Sequence, residues 1–401
     1  MSTAPQGWQT PKTNWQAADV VRPSDLNRIE GNAQAIESGS RTLDPSQVPS
    51  GNTGSLRQIL SWFANRIRAI TGAANWYDSP PATLAGLLSA LNTHKSSADH
   101  DGRYYIKSQL DPIIRNLLLN HWITFRSSTS FDLNGVAYAD GLWVAAGGSG
   151  TILTSTNGTT WTPNTSDTSN SLVGVAYANG LWITVGGSGT ILTSTNGATW
   201  TRRTSSTSFD LNSVAYADGL WVAVGGSGTI LTSTNGISWT GRTSGTSSTL
   251  NSVAYANDLW VAVGTDGTIL TSTNGTSWTR RTSGTSSLRG VAYADGLWVA
   301  VGGSGTIRTS PDGTSWTTRF SGTSSHLNSV AYADGLWVAV GGGGTILTST
   351  NAATWTPRSS TSFDLNSVAY AYAYADGLWL WVAVGAGGTI STTRAIFSLD
   401  P

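Results

Sequence analysis

Cysteine is absent from the 401 residues. Disulfides, thiolate metal sites and cysteine nucleophiles are therefore excluded. Charge is sparse: ionic side chains make up 11% of the chain, with Lys+Arg and Asp+Glu balanced at 22 each, against about 25% charged residues in an average soluble domain. A chain with no net charge has no electrostatic grip on duplex DNA or on an anionic bilayer surface. Neither nucleic acid nor a membrane is an expected partner. Glutamate and lysine are nearly missing: Glu30, Glu37, Lys12, Lys95 and Lys107 all precede residue 108. From Ser127 onward the ionisable side chains are Asp, Arg, Tyr and His326. No Glu or Lys can act there as acid, base or nucleophile. The start, MSTAPQGWQT, has no basic n-region and no apolar stretch, and no run approaches 18 apolar residues, so synthesis in the cytoplasm without a signal peptide and without membrane insertion is expected.

What is present is a repeat. LWVAVGG and its variants place tryptophan at 143, 182, 221, 260, 298, 337 and 379, in steps of 39, 39, 39, 38, 39 and 42 residues. A second string, S-T-N-G-x-x-W, ends at Trp161, Trp200, Trp239, Trp278, Trp316 and Trp355. Within a unit, VAYA and LWVAV alternate with period two, as half-buried strands do. Between them sits Asp-Gly or Asn-Gly, with only Asn257-Asp258 departing; such pairs accept the positive φ angles of a tight hairpin. TILTS supplies a third strand and WTRR a fourth. Four strands per roughly 40 residues, repeated seven times, predict an all-β seven-bladed β-propeller.

The ends suggest how the ring closes. Trp122–Arg126 reads like a fourth strand with no first three before it, whereas the last repeat ends in TTRAIFSLDP without its box. Trp122–Arg126 is expected to complete the seventh blade beside Thr389–Thr393, which removes an open sheet edge; the rival is Ala395–Leu399. The seventh repeat also carries VAYAYAYADGLWLWVAVG. Its extra residues are even in number on each strand, so side-chain faces are kept and a longer hairpin is expected.

Residues 1–120 read as short helices and linkers ahead of the propeller at 121–401. A stripe at Leu26, Ile29, Ala33 and Ile36 and a Pro/Ser/Gly-rich stretch at 42–54 make up a first segment, 1–54. The segment 55–120 opens on a capping box, Ser55 and Gln58, before Leu56, Ile59, Phe63, Ile67 and Ile70. Later stripes contain Leu84, Leu87, Leu88 and Leu91, then Ile113, Ile114, Leu117 and Leu118 after Asp111-Pro112. Helices this short are marginal alone; their stripes are expected to oligomerise the chain, as a homotrimer.

TNWQAADVVRPSDLNRIEGN and above all HKSSADHDGRYYIKSQLD resemble the linker regions of bacteriophage and phage-tail-like particle tail fibres. The resemblance implies a virion tail component whose N-terminus docks to tail or baseplate proteins, with a distal host-facing domain. The S-x-N-G-x-x-W boxes resemble those of Asp-box propellers, known from sialidases, xyloglucan-cleaving enzymes and a photosystem assembly factor. Here Asn replaces Asp at all but Asp312, and the sixth copy lacks its Gly. The box marks a fold and not an activity.

A sialidase-like site needs a Tyr–Glu pair and arginines at the mouth. This propeller has no Glu, and Arg202, Arg203, Arg280, Arg281 and Arg319 fall on or just past the outermost strand. Asp140, Asp218, Asp295, Asp334 and Asp376 are explained as hairpin-turn residues, and the recurrent Trp and Tyr as packing. No catalytic residue, metal site or cofactor is assigned; His94, Asp99, His100 and Asp101 read as capping and turn chemistry. Function is expected where the blades differ, in the loops at the mouth. TSFDLN recurs at Thr129–Asn134, Thr207–Asn212 and Thr361–Asn366. It offers Phe131, Asp132, Asn134, Phe209, Asp210, Asn212, Phe363, Asp364 and Asn366, with Arg289 and His326 in other blades, as receptor-binding residues that combine apolar faces with hydrogen-bonding groups. The expectation is a non-enzymatic receptor-binding protein for a host surface glycan. The alternatives are a depolymerising tailspike, which needs two carboxylates at the mouth, and a bacterial scaffold or assembly factor.

Overall fold

The computed structural model describes residues 122–281, 284, 286–358, 362–372 and 379–393. The N-terminal stripes, the His94–Asp101 cluster and Ala395–Leu399 lie outside the described residues. The described chain forms seven four-stranded antiparallel sheets. Blade 1 runs Leu133–Ala139, Leu142–Gly147, Ile152–Ser155 and Thr162–Asn164, in that order from one edge to the other. Blades 2 to 7 begin with Leu172–Ala178, Leu211–Ala217, Leu250–Ala256, Leu288–Ala294, Leu327–Ala333 and Leu365–Tyr372. The first strands of successive blades pack against one another around the ring, so they surround its axis.

Blades 1 to 6 each begin with a two-residue hairpin. Asp140 and Gly141 have φ of 48° and 78°, the double positive φ that matches the twist of the flanking strands. Asn257 and Asp258 hold the same turn without glycine, at 47° and 55°, because short polar side chains tolerate this region. The turn sets Tyr138 opposite Trp143, ring centroids 4.9 Å apart and tilted. The other six blades repeat the pair at 4.8–5.0 Å.

The apolar cores lie between blades. Trp143 of blade 1 packs with Leu380, Val382 and Val384 of blade 7; Trp182 of blade 2 packs with Val144, Ala146 and Ile152 of blade 1. Every seam is filled this way, so each blade supplies only half of two cores and depends on its neighbours. The box turns seal the outside. Asn157 Oδ1 accepts from the Thr159 and Thr160 N–H groups, and Trp161 Nε1 donates to the Gly158 carbonyl. The turn needs an acceptor and no charge, which is why Asn serves where related boxes have Asp. In the sixth copy Ala352 adopts φ 55° and is fully buried.

Ile123–Arg126 pairs antiparallel with Thr389–Thr392, and so completes blade 7 from the other end of the propeller sequence. The long hairpin of blade 7 keeps its faces: Tyr370 pairs with Trp381, and Ala371 and Tyr372 extend the ladder to Leu380 and Trp379. Trp381, and not Trp379, is therefore the seventh member of the packing series. The sequence spacing puts Trp379 in that place; the pairing of Tyr370 with Trp381 and the packing of Trp381 against blade 6 correct it.

Candidate functional site

In all seven blades the pairing of the first two strands slips by one residue next to the opening Leu. The extra residue of such a bulge is free to re-aim its side chain. The seven bulge residues are Asn134, Val173, Asn212, Asn251, Arg289, Asn328 and Asn366, and all of them line a central cavity of about 580 Å³. A second layer of Ser and Gly and a third of Val continue the wall inward.

The asparagines also tie the ring together. Asn134 Nδ2 donates to the Leu172 carbonyl of the next blade at 2.9 Å, Asn212 to Leu250 at 2.9 Å, Asn251 to Leu288 at 2.7 Å and Asn328 to Leu365 at 2.9 Å. A carbonyl partner fixes which amide atom is nitrogen. Asn212 and Asn251 therefore retain a second N–H and their Oδ1 at the half-buried wall, whereas Asn134 Nδ2 also donates to the Ser171 hydroxyl at 3.2 Å. Arg289 breaks the series. Its guanidinium is exposed and reaches Asn328 Oδ1 at 2.8 Å. In the layer beneath, Ser213, Ser252, Ser329 and Ser367 each accept from a Val N–H of the following blade.

Of the expected receptor-binding residues, Asn134, Asn212, Asn366 and Arg289 line the cavity. The aspartates and His326 do not; they link loops of adjacent blades. Asp132 Oδ1 accepts from the Gly387 N–H at 2.8 Å, Asp210 from Ser188 at 2.8 Å and Asp364 from Gly343 at 2.7 Å, while His326 Nδ1 accepts from Ser304 at 3.0 Å. Each donor is the left-handed middle residue of the three-residue turn between the second and third strands of the preceding blade. Phe131, Phe209 and Phe363 remain 49%, 50% and 36% exposed. Phe131 and Phe209 sit over the equivalent turn of their own blades, and Arg126 lies 4.7 Å from the Phe363 ring centre. The sequence reading missed Asn251 and Asn328, although the same Leu-Asn pair marks them, and Thr265 and Ser287, which also line the cavity.

The outer arginines are structural: Arg203, Arg242, Arg281, Arg319 and Arg358 each donate through Nε to a Thr hydroxyl one strand inward. At the hairpin end, Tyr177 donates to Asp140, Tyr255 to Asp218 and Tyr332 to Asp295 of the preceding blade. The Asp140 hydrogen bond holds the Tyr177 phenol above its ordinary range, and Asp218 does the same for Tyr255. Tyr332 is pushed up to about 12 by burial and then by Asp295. Among the described residues no His, Cys, Asp and Glu gather into a metal-binding group.

No protein-family model and no curated protein matches the chain. Solved structures do. YCF48 bound to D1 peptide aligns with a TM-score of 0.56 at 16% identity, over 68% of this chain and 94% of that one. YCF48 from Cyanidioschyzon merolae gives 0.55 at 19%, over 68% and 98%. The WD40 β-propeller domain of Doa1 gives 0.54 at 15%, over 68% and 95%. These likenesses establish the seven-bladed propeller fold.

Proposed function

We propose that the chain is the receptor-binding component of a phage or phage-derived tail, which attaches to a saccharide on the host surface without cleaving it. The observation that carries this reading is where the blades vary. Trp, Tyr, box and hairpin residues are spent on packing, whereas the loops before the first strands differ: the TSFDLN copies expose Phe131, Phe209 and Phe363, and the loop entering blade 6 exposes Phe320, on a molecule with few charged residues. Aromatic faces beside amide and hydroxyl groups suit sugars, which present C–H faces and hydroxyl edges. The cavity wall holds no carboxylate, in keeping with binding and not with two-carboxylate hydrolysis. The DHDGRYY-containing segment supports a tail fibre, with the N-terminal stripes forming a homotrimer that docks to the tail and multiplies weak contacts by avidity.

The test is adsorption of the full chain to a panel of bacterial cells, compared with a Phe131→Ser/Phe209→Ser/Phe363→Ser variant. Saturable adsorption that falls at least tenfold in the variant, with no sugar released, is expected. Adsorption to no strain, equal adsorption by the variant, or release of reducing sugar overturns the reading.

A further inference from the structure

The cavity on the propeller axis is not symmetric. Five of its seven bulge residues are amides, one is Val173 and one is Arg289. Arg289 is the single charged side chain in the lining. Only beside it do the loops join the wall: Thr265, from the three-residue turn of blade 4, and Ser287, from the loop entering blade 5. That loop is one residue shorter than its equivalent in blade 6 (Ser286-Ser287-Leu288 after Thr285, against Ser324-Ser325-His326-Leu327 after Thr323). Thr265 stands where five other turns begin with Gly, and Ser287 where three blades carry Asp. The wall next to the cation thus gains two more hydroxyl-bearing residues. Val173, on blade 2, stands three blades away from Arg289 around a ring of seven.

We infer that this cavity binds the carboxylate-bearing sugar of an acidic saccharide, with Arg289 receiving the carboxylate and the asparagine ring receiving hydroxyls. This rests on the saccharide-binding reading above and names its ligand class. A guanidinium carries five N–H donors. The contact to Asn328 uses one and directs the group along the ring, which leaves the others to meet an anion in paired geometry. No carboxylate in the lining competes for it. The remaining N–H and Oδ1 of Asn212, Asn251 and Asn366, with the Oδ1 of Asn134, form a donor–acceptor alternation that matches hydroxyls, which donate and accept. A volume of about 580 Å³ lies within the roughly 300–1,000 Å³ of small-ligand sites and accommodates one or two sugar rings.

The experiment titrates the full chain and its Arg289→Gln variant with glucuronate, methyl glucoside and a short peptide with a free C-terminal carboxylate, by ligand-observed NMR. Thermal melting checks that both proteins are equally folded. Glucuronate should bind the unaltered chain at least tenfold better than methyl glucoside, and Arg289→Gln should abolish that preference. Equal binding of the two sugars, or a preference that survives in Arg289→Gln, overturns the assignment. So does peptide binding as strong as glucuronate, which makes the cavity a carboxylate-terminus site. Adsorption to cells separates the two readings. If adsorption persists and only neutral sugars compete it away, the acidic class falls while the saccharide receptor stands; if no sugar competes, the saccharide receptor itself falls.

Discussion

Asn366 Nδ2 lies 3.0 Å from the Leu133 carbonyl oxygen, a bond that joins blade 7 to blade 1 across 233 positions of sequence. It is the same bond that Asn134 makes to Leu172, 38 positions away. The local geometry of the ring is thus indifferent to where the chain begins. What differs at this seam is the outer strand, which blade 7 borrows from Ile123–Arg126.

A chain beginning at Ser127 should therefore be much less stable than one beginning at His121. The truncation removes a strand, leaves Thr389–Thr392 as an open edge, and strips Phe125 and Trp122 from the two clusters they cover. A loss on the order of 3–5 kcal/mol is expected, the range for removing a large packed aromatic. Urea unfolding of the two chains measures it; equal midpoints would show that closure by this strand is dispensable.

Trp221→Ala should cost about 3–5 kcal/mol, because Trp221 is 2% exposed and fills the seam between blades 2 and 3. Phe131→Ser and Phe209→Ser should each stay within about 0.5 kcal/mol, as for exposed positions, and Phe363→Ser should cost up to about 1 kcal/mol because it also loses the Arg126 contact. Melting temperatures of the single variants check the contrast, and comparable losses at Phe and Trp would reverse the division between packing and recognition residues.

The propeller should lose stability at alkaline pH. Tyr177, Tyr255 and Tyr332 have phenols raised above their ordinary value of 10.0. The folded state then holds these protons longer than the unfolded state, so stability falls as pH rises. The contribution is complete below about pH 10 and is lost as pH climbs through the raised values, about 12 for Tyr332. Tyr332→Phe should flatten part of this decline in thermal melts between neutral and strongly alkaline pH. An unchanged pH slope in Tyr332→Phe contradicts it.

The single Asp box gives the opposite sign. The Asp312 carboxyl is held well below the ordinary carboxylate range, first by the Ser315 N–H and then by the hydroxyl and N–H of Thr314. A depressed carboxylate stabilises the fold above its unfolded value near 3.8 and ceases to as pH falls. Asp312→Asn should keep the turn, as five other copies do with Asn, while making the protein less sensitive to acid below about pH 4. Acid titrations followed by tryptophan fluorescence compare the two.

The repeat made the blades, hairpins, packing aromatics and closing strand legible, because each rests on a local pattern repeated in phase. The roles of Asp132, Asp210, Asp364 and His326 were not legible. Their partners are backbone N–H groups in turns of the preceding blade, 21 or 22 residues back for three of them and 255 ahead for Asp132. Nothing in TSFDLN distinguishes an acceptor for a neighbouring loop from one for a ligand. The asparagine ring was half legible: Leu-Asn recurs, but only the one-residue slip turns Asn134 and its equivalents toward the axis.

Blade 2 supplies the sharpest test of that ring. Val173 occupies a bulge with the same pairing slip, Leu172 to Gly186 and then Gly174 to Val185, as the asparagine blades. Its backbone is thus already placed for the interblade bond, and what it lacks is the donor. Val173→Asn should supply it, with Nδ2 reaching the Leu211 carbonyl as Asn212 reaches that of Leu250. The half-buried valine gives up little packing there, so a net gain of about 0.5–1.5 kcal/mol is expected, the usual worth of one intramolecular hydrogen bond. The reverse change, Asn251→Val, removes the bond to Leu288 and should lose a similar amount. Denaturant midpoints that rise for Val173→Asn and fall for Asn251→Val support the ring as a structural belt. A fall for Val173→Asn means that the asparagines are held at the axis for their ligand and not for the ring.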